Sequence, residues 1–109
     1  MKIVNLKYNE FEQFVRNHPL RNYYQSVAYG TLMSNFGFKP LYIGFVHEGK
    51  LVGASLILHV SIFMGFKYGY APHGILLNYN DYQLIPDAVK KLKSYLFRQS
   101  FLILKIDPL

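Results

Sequence analysis

The first third of the chain has a pattern of apolar and polar residues that predicts one strand followed by two helices. Residues 2–6 are predicted to form a short strand. Asn9, followed three positions later by Glu12, resembles a helix N-cap, and Pro19 ends this helix near residue 17. A second, amphipathic helix closed by Gly37 is predicted from apolar residues three and four positions apart, which are Tyr24, Val27, Ala28, Leu32 and Phe36.

The middle of the chain is rich in β-branched and aromatic residues, which predicts consecutive antiparallel strands. Residues 40–46 and 50–58 flank a short polar segment ending in Gly49, the pattern of a β-hairpin. Residues 66–70 are predicted to form the next strand. The apolar run 51–66 is shorter than the roughly 20 residues that span a bilayer. It suits two consecutive buried strands better.

The last third predicts an irregular turn, a helix and a final strand. Pro and Gly at residues 71–74 favour the turn. A basic surface helix is predicted from Asp81 or Pro86 to Gln99, and residues 101–106 form an almost continuous apolar strand with no following element to cover its far edge. The apolar face of the helix comprises Ile85, Ala88, Val89, Leu92 and Leu96. We therefore predict an α/β (α+β) fold with a mixed, mostly antiparallel sheet, flanking helices and the order β-α-α-β-β-β-α-β, truncated after the last strand.

Composition narrows the class of protein. The 109 residues fit one domain, and 51% hydrophobic with 17% charged residues is ordinary for a packed fold. The absence of cysteine excludes disulfides, thiolate zinc sites and a cysteine nucleophile. The net charge of +6 either attracts nucleic acid, phosphates or an anionic membrane surface, or serves solubility alone. No signal-peptide pattern occupies the first ten residues, which predicts a cytoplasmic protein.

Few residues are candidates for chemistry. The four histidines are far apart and have no partner at metal-ligand spacing, so no metal site is predicted. Nucleophile-elbow and phosphate-loop motifs are absent, which argues against hydrolases and nucleoside triphosphatases. Asp107 directly follows an apolar strand, where a carboxylate is either aimed into a cleft or simply ends the strand in an Asp-Pro turn. Tyr68 and Tyr70 should share one side of their strand, lining a groove or a core edge.

Four short motifs occur in a distinctive order. They are Tyr24-Gln25-Ser26 before a helix, Leu51-Val52-Gly53-Ala54-Ser55-Leu56 on a strand, Tyr70-Ala71-Pro72-His73-Gly74 in a turn and Lys105-Ile106-Asp107-Pro108 at the end. With the order of elements, they resemble the first GNAT-like half of the FemA/FemB/FemX aminoacyltransferases over nearly the whole chain. The resemblance implies that residues 1–109 are a single partial GNAT-like domain, the first half of a two-domain enzyme.

The resemblance also implies a reaction. Such enzymes transfer an amino acid from aminoacyl-tRNA, as co-substrate and without a cofactor, to the stem-peptide amine of a peptidoglycan precursor, either lipid II or UDP-MurNAc-pentapeptide. The expected partners are aminoacyl-tRNA, the precursor and an anionic membrane surface at the inner face. A homodimer through the open strand edge is also expected. The chain is expected to be inactive alone. The implied substrate-binding residues are Asp107, Tyr70, His73, Gly74 and Lys105.

Two other functions remain open from the sequence. A CoA-dependent GNAT N-acyltransferase would share the strand order, but residues 74–81 lack the glycine-rich stretch whose N–H groups would hold pyrophosphate at a helix start. A non-enzymatic basic module for RNA or anions would rest on the net charge and on Lys90, Lys91 and Lys93. The sequence departs from the family pattern at His73, where relatives carry Arg, at Ile75, where they carry Pro, and at Met33.

Overall fold

A computed structural model of the chain describes residues 1–81 and 83–107. Its elements follow the order β-α-α-β-β-β-α-β, which confirms the predicted order. They are β1 (Lys2–Asn5), α1 (Tyr8–Arg16), α2 (Val27–Ser34), β2 (Lys39–His47), β3 (Lys50–Phe63), β4 (Phe66–Pro72), α3 (Leu84–Arg98) and β5 (Phe101–Asp107).

The five strands form one mixed sheet in the spatial order β1-β2-β3-β4-β5. The first three junctions are antiparallel, and only β4 and β5 run parallel, joined by the crossover helix α3. The predicted hairpin is confirmed, because Glu48 and Gly49 connect β2 to β3 with positive φ angles, as a two-residue hairpin turn requires. The mixed, mostly antiparallel fold class is therefore confirmed.

Each face of the sheet carries its own core. One face packs under α3 and is centred on Ile43, Phe45, Ile57, Leu92 and Leu96. The other packs under α1 and α2 and is centred on Phe11, Ala54, Leu56, Leu58 and Leu76. Because β3 contributes to both clusters, alternate residues of its central part are buried on opposite faces. Its almost continuous apolar sequence reflects this double burial.

Two predicted boundaries are wrong. The run 51–66 does not hold two strands, since β3 continues to Phe63 and only then turns into β4. Helix α1 begins at Tyr8 rather than after Asn9: the Lys7 N–H donates a hydrogen bond to Glu10 Oε1 at 2.9 Å, and Lys7 is the N-cap. The capping acid is thus Glu10, because the reciprocal bond needs the acid three positions after the cap.

The predicted face of α2 is correct at Val27, which packs against the core, and wrong at its other positions on the helix. Leu32 and Phe36 are exposed, whereas Tyr29 and Met33 pack against the core. The cause is the close approach of Gly30 to β2, where an added Cβ would lie 2.7 Å from Tyr42 Oη. This tertiary contact, rather than the apolar periodicity, decides which side of the helix faces the sheet.

The last helix and strand are less buried than predicted. On α3, Val89 is exposed, and Tyr95 takes a buried place that the pattern did not predict. The predicted apolar strand is present as β5, but Leu102 and Ile103 are 51% and 53% exposed, so its apolar sequence does not reflect burial on both faces. Within residues 1–81 and 83–107, β5 pairs only with β4, so its outer edge is open. The homodimer through this edge stays a prediction. No helix in this described part is long and apolar enough to cross a membrane.

Candidate functional site

The candidate site lies where β4 and β5 end side by side. Because these neighbours are parallel, their carboxyl ends meet at one edge of the sheet, with Tyr70 opposite Lys105 and Pro72 opposite Asp107. This is the edge at which open α/β sheets bind ligands. The register therefore brings together residues that are 37 positions apart in sequence.

Asp107 is the centre of the polar cluster. One of its carboxylate oxygens, Oδ2, accepts a hydrogen bond from the Tyr70 hydroxyl at 3.2 Å and lies 4.0 Å from Nε2 of His73. Desolvation, followed by the hydrogen bond and the negative charge of Asp107, raises the pKa of Tyr70 above its ordinary value of 10. The phenol consequently stays protonated and acts as a donor at neutral pH. The Asp107 side chain is itself 43% exposed, so it remains open to a ligand.

Aromatic rings and a lysine surround this carboxylate. The Lys105 ammonium lies 5.5 Å from the centre of the Tyr70 ring, within cation–π range. The Tyr24 ring lies 4.7 Å from the imidazole of His73. The wall of the site is therefore amphipathic, with ring faces for apolar contact and Asp107 as an acceptor for an amine or a peptide N–H.

A buried glutamine holds the site in place. Gln25 is fully buried, and its Nε2 donates to the carbonyl oxygens of Leu56 at 3.2 Å and of Pro72 at 2.9 Å. Its Oε1 accepts from the Leu56 N–H at 2.8 Å. Gln25 thus links the start of α2, the centre of β3 and the end of β4. This explains physically why the motif Tyr24-Gln25-Ser26 accompanies the turn motif.

The turn after β4 is fixed from the same side. Asn22 donates through Nδ2 to the His73 carbonyl oxygen at 3.1 Å, and its Oδ1 accepts from the Gln25 N–H at 3.1 Å. Gly74 lies so close to Gln25 that an added Cβ would be 2.5 Å from Nε2. His73 has a φ of 49°, a conformation that costs a non-glycine residue energy unless its surroundings hold it. These contacts hold the backbone of the turn that carries the imidazole.

The predicted site residues therefore divide into two kinds. Asp107, Tyr70, His73 and Lys105 bring side chains to one place, whereas Gly74 contributes close packing. Pro108 of the last motif lies outside the described residues. Sequence reasoning did not place Asn22 and Gln25 in the site, although the aromatic-Gln-Ser motif was its signal. The other three histidines lie elsewhere, and no group of metal-ligating side chains occurs within residues 1–81 and 83–107.

The segment before α3 gives no support to a pyrophosphate cradle. The N–H of Leu76 donates to the Ala54 carbonyl at 2.9 Å, and the Ala54 N–H donates to the Leu76 carbonyl at 3.1 Å. The Leu76 N–H and carbonyl are therefore already hydrogen-bonded in an isolated bridge to β3. The first turn of α3 carries Asp87, whose negative charge opposes an anion at a helix N-terminus.

A separate apolar cavity of about 400 Å³ lies between α3 and β5. Leu92, Leu96 and Leu102 contribute to its wall, and Lys93 is its charged neighbour. It contains none of the polar side chains that converge on Asp107. It is therefore a product of the open β5 edge rather than part of the candidate site.

The whole arrangement matches known proteins. A family model described as the FemAB family matches residues 6–109. The chain belongs to the FemAB family. It is 29% identical over 110 residues to aminoacyltransferase FemB of Staphylococcus epidermidis (strain ATCC 12228 / FDA PCI 1200), covering 99% of this chain and 26% of that protein. It is 28% identical over 109 residues to aminoacyltransferase FemA of Staphylococcus aureus (strain MW2), with the same coverage. The chain thus spans about a quarter of the length of these relatives.

Solved structures support the fold. A crystal structure of FemX matches with a TM-score of 0.79 at 18% identity, covering 99% of this chain and 27% of that one. A ribosomal-protein-alanine N-acetyltransferase from Brucella melitensis biovar Abortus 2308 matches with a TM-score of 0.60 at 16% identity, covering 100% of this chain and 81% of that one. The GNAT-like fold predicted from the sequence is therefore confirmed.

Proposed function

We propose that this chain forms the acceptor-binding part of an aminoacyltransferase. The reaction moves an amino acid from aminoacyl-tRNA to the stem-peptide amine of a peptidoglycan precursor. Membership of the FemAB family supports the reaction class. The observation that carries the proposal is the convergence of Tyr70, His73 and Asp107 at the carboxyl ends of two parallel strands.

The proposed chemistry is the aminolysis of an ester. The amine nitrogen attacks the ester carbonyl, a C–N bond forms, the C–O bond to the tRNA ribose breaks, and the departing oxygen receives the proton that the amine loses. Asp107 is proposed to hold and orient the amine or a neighbouring peptide N–H, and Tyr70 keeps the carboxylate in position. Such orientation converts a bimolecular step into an effectively unimolecular one, which lowers the barrier substantially. The reaction needs no cofactor.

The alternative of a CoA-dependent acyltransferase is less well supported. The likeness to an N-acetyltransferase is one of fold at 16% identity. In the segment before α3 the Leu76 N–H is engaged with β3, and Asp87 in the first turn of α3 opposes an anion there. We propose further that the chain alone binds the acceptor without turnover, since it spans about a quarter of its relatives.

The test is a titration of the chain with UDP-MurNAc-pentapeptide, followed by ¹H–¹⁵N chemical shifts. We expect the largest shifts at residues 70–74 and at Asp107. Asp107→Asn preserves the shape of the side chain and removes its charge. It should weaken binding about tenfold or more, because a charge-assisted hydrogen bond contributes roughly 1.5–3 kcal/mol.

Asp87→Asn is the matched control, since Asp87 is also 43% exposed and lies on α3 away from the β4–β5 junction. It should leave the affinity unchanged. Equal affinities of the wild type and Asp107→Asn, with shifts centred elsewhere, would refute the assignment of the acceptor site.

A further inference from the structure

The β3–β4 hairpin projects beyond the rest of the sheet. Strand β2 reaches only to the pair Lys39–His59, and β5 begins opposite Lys67, yet β3 continues to Phe63. Past the end of β2, the four steps from His59 to Phe63 correspond to about 13 Å at the usual rise of a strand; past the start of β5, which lies beside the pair Ser61–Lys67, two steps correspond to about 7 Å. The end of this hairpin is therefore a narrow tip without neighbouring strands in the described part of the chain.

The tip exposes apolar side chains. Met64 is 88% and Phe63 55% exposed, and Ile62 and Phe66 are exposed beside them. Isolated exposed apolar residues are common, but four in five consecutive positions at a projecting tip form a contiguous patch, which marks an interaction surface. The rings of Phe63 and Phe66, with centres 5.8 Å apart, pack on each other across the hairpin and keep the patch together.

The turn sequence is unfavourable for folding. Met64 and Gly65 form the two-residue turn, and both have positive φ, 51° and 82°. Such turns strongly prefer Asn-Gly or Asp-Gly, because an unbranched apolar L-residue is strained in the left-handed region. The Met64 side chain is 88% exposed, so burial of apolar surface does not offset this strain. Contacts within the described part of the chain therefore do not account for an apolar side chain at this turn position.

A basic cluster lies at the base of the tip. His59 pairs with Lys39 across β2 and β3, the His59 ring is 5.7 Å from that of Phe101, and the Lys67 ammonium lies 5.4 Å from the same Phe101 ring. Both ammonium groups, after desolvation, lower the pKa of His59, which places their charges close to it. Arg98 ends α3 on this side, where the Lys67 N–H donates to the Ser100 carbonyl.

Four of the six acidic residues are located away from this end. Glu48 lies in the β2–β3 turn and Asp107 at the end of β5, both at the opposite end of the sheet, and Asp81 and Asp87 lie at or before the start of α3. The remaining two of the six, Glu10 and Glu12, are on α1. Glu48, Asp81, Asp87 and Asp107 are therefore too far from the base of the apolar tip to neutralise Lys39 and Lys67 there.

We propose that the β3–β4 tip, Ile62–Phe66 with Lys39 and Lys67 at its base, is a docking element for an anionic lipid bilayer. Apolar and aromatic side chains enter the boundary between headgroups and acyl chains, at a depth of roughly 5–10 Å, while lysines contact the lipid phosphates. The length of the projection accommodates that depth. Charge complementarity favours a bilayer over an apolar protein groove, because the two lysines at the base need an anionic partner next to the apolar partner of the tip. This surface is independent of the proposed transfer reaction.

The chain offers a clean spectroscopic test because it contains no tryptophan. Phe63→Trp places a single fluorophore at the tip, and Tyr8→Trp places one at a residue of α1 that is 63% exposed. Both are titrated with vesicles of phosphatidylglycerol and phosphatidylcholine in a 1:3 ratio, and with vesicles of phosphatidylcholine alone. We expect a blue shift and quenching by brominated acyl chains for Phe63→Trp with the anionic vesicles, and no change for Tyr8→Trp.

Cosedimentation of unlabelled variants separates the two contributions. Met64→Asn creates the preferred Asn-Gly turn, so it removes the apolar side chain without endangering the fold. It should lower the vesicle partition coefficient at least fivefold. Lys39→Gln with Lys67→Gln should lower it about 30-fold at low salt, since each lysine near such a surface contributes roughly 1 kcal/mol.

The matched charge control is Lys90→Gln with Lys91→Gln on the exposed side of α3, which should have a clearly smaller effect. An equal loss in both double variants would show non-specific attraction by net charge and overturn the proposal. Unchanged partitioning of Met64→Asn, or a Phe63→Trp emission that does not respond to anionic vesicles, would overturn it too and leave a protein partner as the occupant of the tip.

Discussion

The strongest structural prediction concerns Gln25, because one side chain satisfies three backbone groups of two strands. Gln25→Met keeps nearly the same volume and length but offers no donor and no strong acceptor. The carbonyl groups of Leu56 and Pro72 and the Leu56 N–H would lose their bonds to the side chain within a fully buried site. The Leu56 carbonyl keeps a hydrogen bond from Ser55 Oγ at 3.1 Å, so the Leu56 N–H and the Pro72 carbonyl are the groups that lose their side-chain partner, and each costs roughly 1–3 kcal/mol.

The expected loss for Gln25→Met is therefore about 2–6 kcal/mol. This compares with a total stability of roughly 5–15 kcal/mol for a typical domain. Urea unfolding followed by circular dichroism measures the difference, and the Leu56 amide should lose its protection from hydrogen exchange. Gln13→Met on the exposed side of α1 is the control and should stay within about 0.5 kcal/mol of the wild type. A cost below about 1 kcal/mol for Gln25→Met, with Leu56 still protected, would refute the clamp.

Three further outcomes follow from the same structure. Met64→Asn should raise the free energy of unfolding by about 0.5–1 kcal/mol, because Asn tolerates positive φ better than Met, and a lower urea midpoint would contradict this. Because the pKa of Tyr70 is raised in the folded state, its protonated phenol stabilises the fold below pH 10, and this stabilisation is lost as the pH rises through the folded-state pKa. The difference in the free energy of unfolding between the wild type and Tyr70→Phe should therefore shrink above pH 10. Burial lowers the pKa of His18, whose Nδ1 accepts a hydrogen bond from the Leu20 N–H at 3.0 Å. Neutral His18 therefore contributes to the free energy of unfolding above pH 6.5, and this contribution is lost as the pH falls. In His18→Gln the urea midpoint should change less between pH 7.5 and 5 than in the wild type.

The sequence predicts the elements of this fold well because their signals are local. Glu48 and Gly49 predict one hairpin. The spacing of apolar residues predicts α3, in which Ala88, Leu92 and Leu96 are buried in the core. The face of α2 could not be obtained in this way. It depends on the contact of Gly30 with β2, a non-local fit that an apolar periodicity does not encode.

The site shows the same division between local and non-local information. Asp107 was a candidate from its position after an apolar strand, and Tyr70 and His73 from the family motif. Their convergence depends on the parallel register of β4 and β5, which no local pattern specifies. The role of Gln25 was hidden for the same reason, since its three hydrogen-bonding groups belong to residues 31 and 47 positions away.

The two proposals together impose a distance on the reaction. The candidate site and the tip lie at opposite ends of β4, and the six steps from Phe66 to Pro72 correspond to about 20 Å of strand. An acceptor linked to the bilayer must therefore extend its peptide outward, and a five-residue peptide reaches at most about 18 Å. We expect Met64→Asn to weaken the capture of a lipid-linked precursor on vesicles and to leave the affinity for UDP-MurNAc-pentapeptide unchanged. Asp107→Asn should weaken both. Equal effects of Met64→Asn on the two acceptors would show that the tip contacts the precursor itself and not the membrane.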